Sequence, residues 1–241
     1  MMKHAIVTGA TKGIGLSVAK MLLSEGYHVL VTYAHDENAA QESLKELHDI
    51  SSSCEMMKVD QSDKAQLKSL AEYVKGKSWN VDCLVLNAGM TLRKSLQETT
   101  DEDWEAVMQV NVNSNVYLIR DLYEVIAGNS RIVFIGSLMG VHPHGTSLAY
   151  GVTKSAVHSL ALNLVKCFEG TGTTVNVIAP GFVETPWQKE KPEYIRKNIC
   201  EKTALKRFAQ PEEIADAVRF CLNNQFVNGS VIEVSGGYSF K

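Results

Sequence analysis

The sequence predicts an α/β fold: a doubly wound, seven-stranded parallel sheet with helices on both faces, built as one domain. Three observations predict it. Short β-branched runs alternate with longer amphipathic ones, which implies β-α-β units. The short runs are nearly continuous in apolar residues, as strands covered on both faces should be. A glycine cluster opens a helix directly after the first of them, the Rossmann-type arrangement.

In chain order, the first strand is Ala5–Thr8, and the helix Gly13–Ser24 begins at the glycines that follow it. His28–Tyr33 is the second strand and Glu37–Leu47 the amphipathic crossover to the third, Glu55–Val59. Lys64–Val74 leads to the fourth strand, Cys83–Leu86. A long helix over Asp101–Val125 starts on the acidic signal Thr100-Asp101-Glu102-Asp103. Arg131–Ile135 follows as a strand, then the helix Leu148–Phe168 and the strand Thr174–Ile178. Pro211–Leu222 carries proline in its first turn, followed by Glu212 and Glu213, and Val231–Val234 closes the sheet. Right-handed crossovers make double winding the natural topology. About thirty residues between Gly181 and Pro211 break the rhythm, with Pro186, Trp187, Pro192 and many charges. The expectation is a single domain over 1–241 with a substrate lid at about 182–210.

Composition narrows the function. At 241 residues, 45% hydrophobic and 21% charged, the chain has enough apolar material for a sizeable core and is not intrinsically disordered. Net charge is −3, without a basic stripe, so a nucleic-acid partner is not expected. Cys54, Cys83, Cys167, Cys200 and Cys221 are odd in number and form no C-x-x-C pair, which argues against a disulfide framework or zinc site. Met1-Met2-Lys3-His4 leads into an apolar run too short for a secretory signal, and no stretch approaches a membrane span. A cytoplasmic protein with reduced thiols is expected.

The turn Thr8-Gly9-Ala10-Thr11-Lys12-Gly13-Ile14-Gly15 suits a pyrophosphate. Its glycines allow a tight turn and close backbone approach, and the helix N-terminus adds a favourable dipole. A P-loop needs lysine after its last glycine, whereas Lys12 precedes Gly13. Readers of NAD place an acid about 20 residues on, at the end of the second strand. That strand ends at Tyr33-Ala34-His35 without one, and Asp36 can serve as a helix N-cap. Lys12 can meet a 2′-phosphate, assisted by His35, so NADP(H) is favoured over NAD(H).

Tyr150 and Lys154 lie four residues apart on an expected helix, hence on one face. A second Y-x-x-x-K, Tyr73 to Lys77, reads as a solvated helix end. Context separates the two: Ser137 stands upstream of Tyr150 at the carboxyl end of a strand, where ligands bind in such sheets, whereas Asp60 stands equally far upstream of Tyr73. Carbonyl reduction needs a hydride donor, a proton donor and stabilisation of developing oxyanion charge. A free tyrosine has a pKa of about 10, and a neighbouring ammonium favours its phenolate. Tyr150 is therefore the expected general acid in reduction and base in oxidation, Lys154 its tuning cation, and Ser137 the donor to the substrate carbonyl.

From end to end the chain resembles the short-chain dehydrogenase/reductase family, and within it the 3-oxoacyl-[acyl-carrier-protein] reductases. The resemblance is carried by Thr8–Gly15, Asp60, Asn87-Ala88-Gly89, Asn111, Ser137, Tyr150 with Lys154, Pro180-Gly181, the run Arg207 to Ala215, and Gly229 with Gly236-Gly237. It implies that Lys154 holds the nicotinamide ribose. It also implies that Asn111 anchors a water leading from Lys154 to solvent, although a side-chain amide there can equally close a helix distortion. Asp60, with Gln61 beside it, is implied at the adenine. Asn87-Ala88-Gly89 is implied along the adenosine ribose, with Asn87 alternatively bracing the central strand. Ile14, Pro180, Gly181 and Val183 are implied at the nicotinamide, with Thr185 at its carboxamide. Trp187 stands where the family commonly has methionine.

Residues between Ser137 and Tyr150 should border the substrate, Met139 and His144 among them. Phe182, Trp187 and Met139 offer an apolar wall or, equally, core packing. No acid or cysteine completes a metal set beside His142 and His144, so no metal is expected. Basic residues that the resemblance implies for docking an acidic carrier are absent at Gly128-Asn129-Ser130 and Gly170–Thr173, and Lys166 nearby is a single charge. The substrate is expected to be a small-molecule or acyl-carrier-linked ketone. A general alcohol, sugar or ketone dehydrogenase is the alternative, and a non-catalytic dinucleotide-binding regulator a remote one. The family implies a homotetramer or homodimer. The stripe Val157, Leu160, Ala161, Leu164 and Phe168 fits such an interface or sheet-facing core equally well.

Overall fold

The computed structural model describes residues 2–143 and 148–238. Its strands are β1 (His4–Val7), β2 (His28–Tyr33), β3 (Cys54–Lys58), β4 (Val81–Leu86), β5 (Ile126–Ile135), β6 (Thr174–Pro180) and β7 (Val231–Val234). They form one sheet in the order β3-β2-β1-β4-β5-β6-β7, parallel throughout. The winding direction reverses between β1 and β4, so their carboxyl ends flank a crevice that no crossover covers.

Side-chain alternation explains the continuous apolar runs. Ala5 and Val7 of β1, Cys83 and Val85 of β4, and Val133 and Ile135 of β5 face one layer, which includes α1 (Gly13–Ser24) and α9 (Pro211–Asn223). Ile6, Leu84, Leu86, Ile132 and Phe134 face the other, formed by α3 (Lys64–Gly76), α5 (Ser114–Leu122) and α6 (Leu148–Cys167). Both faces are therefore apolar, and each large side chain so buried contributes about 1.5–3 kcal/mol of transfer free energy. The stripe on α6 belongs to this second core: Val157, Ala161 and Phe168 are buried in it, and Leu160 and Leu164 pack against it.

Capping sets the helix starts. Asp36 caps α2 (Glu37–His48) by accepting from the Ala39 amide, and Thr100 with Asp103 makes a capping box on α4 (Asp101–Met108). The continuous helix expected over Asp101–Val125 is corrected. A π-turn, Gln109–Asn113, separates α4 from α5, and a 3-10 turn, Tyr123–Val125, runs into β5. Apolar periodicity does not register the extra residue of a π-turn. β5 starts five residues earlier than expected, with a register shift opposite Val81–Cys83 and Asn129 at φ 63°.

The stretch after β6 holds two helices that the sequence reading left out, α7 (Pro186–Lys189) and α8 (Glu193–Lys202). Ile199 is the buried residue of α8, too sparse an apolar stripe to be read as a helix. The excursion is pinched at its base, where the Ala209 amide donates to the Phe182 carbonyl at 2.9 Å and the Glu184 amide to the Ala209 carbonyl at 2.7 Å. Arg196 of α8 forks onto Glu184 and also reaches the Gln188 carbonyl, bracing the two helices together. Among the described residues, no helix is long and apolar enough to cross a membrane.

Candidate active site

The turn after β1 is shaped by its glycines. Gly9 and Gly13 sit at φ 65° and 56°, the left-handed region that other residues enter only with strain. A Cβ on Gly15 would stand 2.5 Å from the Gly9 carbonyl and 2.6 Å from Asn87 Nδ2, and one on Gly9 would stand 3.0 Å from Ala88 Cα. Asn87 Nδ2 donates to the carbonyls of Thr8 and Gly9, while Thr8 Oγ1 accepts from the Asn87 and Ala88 amides. Asn87 therefore braces the turn against the end of β4. Lys12 is the N-cap residue of α1 and supplies no side-chain cap, so the first-turn amides of α1 have no side-chain acceptor there. Uncapped amides beside glycines that admit no Cβ fit a dinucleotide pyrophosphate.

The neighbourhood of that turn is polar. Lys12 Nζ lies 3.9 Å from Asp36 and His35 Nε2 3.2 Å from Asp60, and both Lys12 and His35 are well exposed. Asp60 also accepts from the Ser62 amide and hydroxyl. Gln61 is buried, and neither polar atom of its amide has a hydrogen-bond partner. Ile14 packs against the core, and Thr11 is half-buried. Thr185 reaches over the turn, its Cγ2 2.9 Å from where a Gly13 Cβ would be. Pro180 ends β6, the Gly181 amide donates to the Val234 carbonyl, and Val183 bridges to Ala209. The segment after β6 thus approaches the glycine turn at Thr185.

Ser137, Tyr150, Lys154 and Asn111 come together at the carboxyl ends of β4 and β5. Lys154 is buried, and its Nζ donates to the Ile135 carbonyl at 2.8 Å and lies 5.6 Å from the centre of the Tyr150 ring. A Cβ on Gly89 would stand 3.2 Å from Asn111 Oδ1 and 3.6 Å from Lys154 Nζ, so Gly89 leaves these two polar groups room at one spot. Asn111 lies in the π-turn. Its Nδ2 donates to the Met90 carbonyl and to Thr153 Oγ1, and its Oδ1 accepts from the Met90 amide. Its own main-chain carbonyl accepts from Asn115 Nδ2. The side-chain amide thus ties the π-turn to the segment after β4 and to the turn of α6 that carries Lys154.

The electrostatics differ from the sequence expectation. Burial pushes the Tyr150 phenol above the ordinary tyrosine range, opposed by its hydrogen bond with Ser137. Burial also pushes the Lys154 ammonium down to about 8. In the chain alone the phenol is therefore held protonated rather than tuned toward phenolate by the ammonium. A protonated phenol, a serine hydroxyl and a buried cation can together donate a proton to a carbonyl oxygen and stabilise charge on it.

The expected substrate wall separates into parts. Met139 is half-buried, and its amide donates to Ser137 Oγ. Phe182 packs against Phe208 and Tyr238 under Lys191, so its ring belongs to an aromatic cluster at the base of the excursion after β6. Trp187 on α7 is 43% exposed, and the Arg93 guanidinium lies over its ring at 4.9 Å, joining α7 to the segment after β4. His142 pairs with Glu233, and His144 lies outside the described residues. Two partners escaped the sequence reading: Thr153, which accepts from Asn111, and His158, whose Nε2 accepts the Ser137 amide. The signal for His158 was present in its four-residue spacing after Tyr150 and Lys154.

Comparison with known proteins places the whole chain among relatives of one family. The family model described as Enoyl-(Acyl carrier protein) reductase matches residues 9–239. A 3-oxoacyl-[acyl-carrier-protein] reductase of Thermotoga maritima is 31% identical over 239 residues, covering 98% of this chain and 97% of that protein. A short-chain dehydrogenase/reductase structure from Serratia marcescens matches with a TM-score of 0.93 at 28% identity, covering 98% of both chains. An actinorhodin polyketide ketoreductase variant crystallised with NADPH matches with a TM-score of 0.91 at 28% identity, covering 100% of this chain and 98% of that one.

Proposed function

We propose that this chain, which belongs to the short-chain dehydrogenase/reductase family and is an oxidoreductase, uses NADP(H) to interconvert a ketone and a secondary alcohol. The observation that carries the reading is the convergence of Ser137, Tyr150 and Lys154 on the strand ends beside an uncapped, glycine-lined helix start. The first specific substrate class is a 3-oxoacyl group on a carrier protein, the activity named for the Thermotoga maritima relative.

NADPH, when bound, supplies the hydride. The first-turn amides of α1 would hold its pyrophosphate, and Lys12, with His35, would meet the 2′-phosphate. Asp60 and Gln61 would hold the adenine, Asn87-Ala88-Gly89 would run along the ribose, and Pro180, Gly181, Val183 and Thr185 would line the nicotinamide. Ser137 donates a hydrogen bond to the ketone oxygen, and Tyr150 gives that oxygen its phenolic proton. Lys154 supplies positive charge that stabilises the phenolate left behind, and Asn111, as the family resemblance implies, anchors a water that leads from Lys154 to solvent and returns the proton. Met139 and Trp187 border the substrate under a lid at about 182–210.

A general NADP(H)- or NAD(H)-dependent alcohol, sugar or ketone dehydrogenase is the second reading. Near the expected carrier-docking place by β6, Lys166 lies 3.6 Å from Glu169, an acidic neighbour that does not favour an acidic carrier. We carry a homotetramer or homodimer and a cytoplasmic location within the same proposal. Exposed Val152 and Leu162 on α6 and Val116 on α5 support association. The test compares oxidation of NADPH, and separately of NADH, by acetoacetyl-carrier protein with that by small ketones. Faster turnover of the carrier substrate supports the first reading, turnover of small ketones alone supports the second, and turnover of neither contradicts both.

A further inference from the structure

Tyr150, Lys154 and His158 recur every four residues and so share one face of α6. His158 is 6% exposed, and among the described residues its one hydrogen bond is to Ser137, whose backbone N–H donates to Nε2 at 3.3 Å. The ring sits in a slot made by two glycines. A Cβ on Gly136 would stand 2.2 Å from Nε2, and a Cβ on Gly140 would stand 2.7 Å from Cε1. Gly136 and Gly140 bound the segment that carries the Ser137 hydroxyl, and Ser155 Oγ pins its far end by donating to the Gly140 carbonyl at 2.9 Å. An aliphatic side chain would fill this slot without the cost of burying a polar ring. What the imidazole adds is an acceptor aimed at the Ser137 amide.

We propose that His158 is a positioning residue for the reduction: it holds the Ser137 backbone so that the serine hydroxyl stays on the Tyr150 phenol. This rests on the proposed ketone reduction, and it acts through Ser137 rather than by touching substrate. Burial and the charge of Lys154, the cation that acts on it, push the imidazole down to about 4. Nε2 therefore keeps its lone pair across the neutral range, and the proton of the neutral ring resides on Nδ1. Protonation would turn Nε2 into a donor against the Ser137 N–H.

The test combines steady-state kinetics of wild type, His158→Leu and His158→Gln with 1H–15N spectra of the wild-type imidazole. Leucine fills the slot without an acceptor, and glutamine returns an amide oxygen near Nε2. His158→Leu is expected to lower kcat by at least about tenfold while KM for NADPH stays within about twofold, and His158→Gln to recover most of the loss. The spectra should show the Nδ1–H tautomer, with no titration between pH 8 and about 5. Wild-type kcat in His158→Leu overturns the proposal. So does an equal loss in both variants with a matched rise in KM for NADPH, or an Nε2–H tautomer. If His158→Leu does not fold, the tautomer decides. Wild type that reduces no ketone with NADPH contradicts the underlying function instead, and the spectra still judge the contact.

Discussion

Lys154 Nζ lies 5.6 Å from the centre of the Tyr150 ring, one turn further along α6, while its hydrogen bond runs to the Ile135 carbonyl at 2.8 Å. The cation is thus fixed by the end of β5, whereas the phenolic hydroxyl bonds to Ser137, two residues beyond that same strand end. One strand terminus positions both the proton donor and its counter-charge. Burial raises the phenol and lowers the ammonium, so the resting pair is an acid beside a cation that deprotonates at about 8.

That arrangement fixes a pH dependence. Reduction uses the protonated phenol and the cationic lysine, and rising pH removes the lysine's proton first. kcat/KM for NADPH, which reports the free enzyme, should stay level near neutrality and fall as pH rises through about 8. Lys154→Ala should lower kcat, raise KM for NADPH and abolish this limb. A limb that persists unchanged in Lys154→Ala assigns it to another group.

Lys12 should decide between the two dinucleotides. Its ammonium is well exposed near Asp36, free to turn toward a 2′-phosphate. Lys12→Ala should weaken NADPH binding roughly tenfold, the scale of one charge-assisted hydrogen bond, and leave NADH binding unchanged. Fluorescence titration with each dinucleotide reads both; equal losses contradict the assignment.

Gly15→Ala should cost fold and site together. Its Cβ would meet the Gly9 carbonyl and the Asn87 amide, groups held by the same hydrogen-bond net. A stability loss of about 1–3 kcal/mol is expected from the overpacking, with NADPH affinity lost in the same variant. Denaturant titration and calorimetric binding would reveal it, and unaltered affinity would count against a pyrophosphate at this turn.

Much of this was legible because it is local or periodic. Strands buried on both faces read as apolar runs, and the glycine turn is contiguous, so β1 and α1 needed no tertiary information. The π-turn at Asn111 was hidden inside an uninterrupted helical pattern, because one extra backbone residue changes no residue type. α8 was hidden by its charges, with Ile199 its one buried side chain. The raised phenol of Tyr150 could not be read from spacing, since it arises from burial, which only the assembled fold sets. His158 was missed because a histidine on a core face reads as packing until its Nε2 is seen on Ser137.

Acid should expose that histidine. Its pKa falls from 6.5 to about 4 on folding, so the unfolded chain takes up its proton first as pH drops. Its contribution is fully present above 6.5 and is lost as pH falls through about 4, amounting to roughly 3 kcal/mol. Urea denaturation at successive pH values should show this slope in wild type and a shallower one in His158→Leu. Identical slopes would place the acid sensitivity elsewhere.

The central claim is that the Tyr150 phenol delivers the proton to the ketone oxygen, and Tyr150→Phe tests it most directly. The substitution removes one oxygen and keeps the ring beside Lys154. Its kcat for ketone reduction should fall by about a hundredfold to ten-thousandfold, with Kd for NADPH unchanged within about twofold. A variant that turns over at the wild-type rate with NADPH bound contradicts the account.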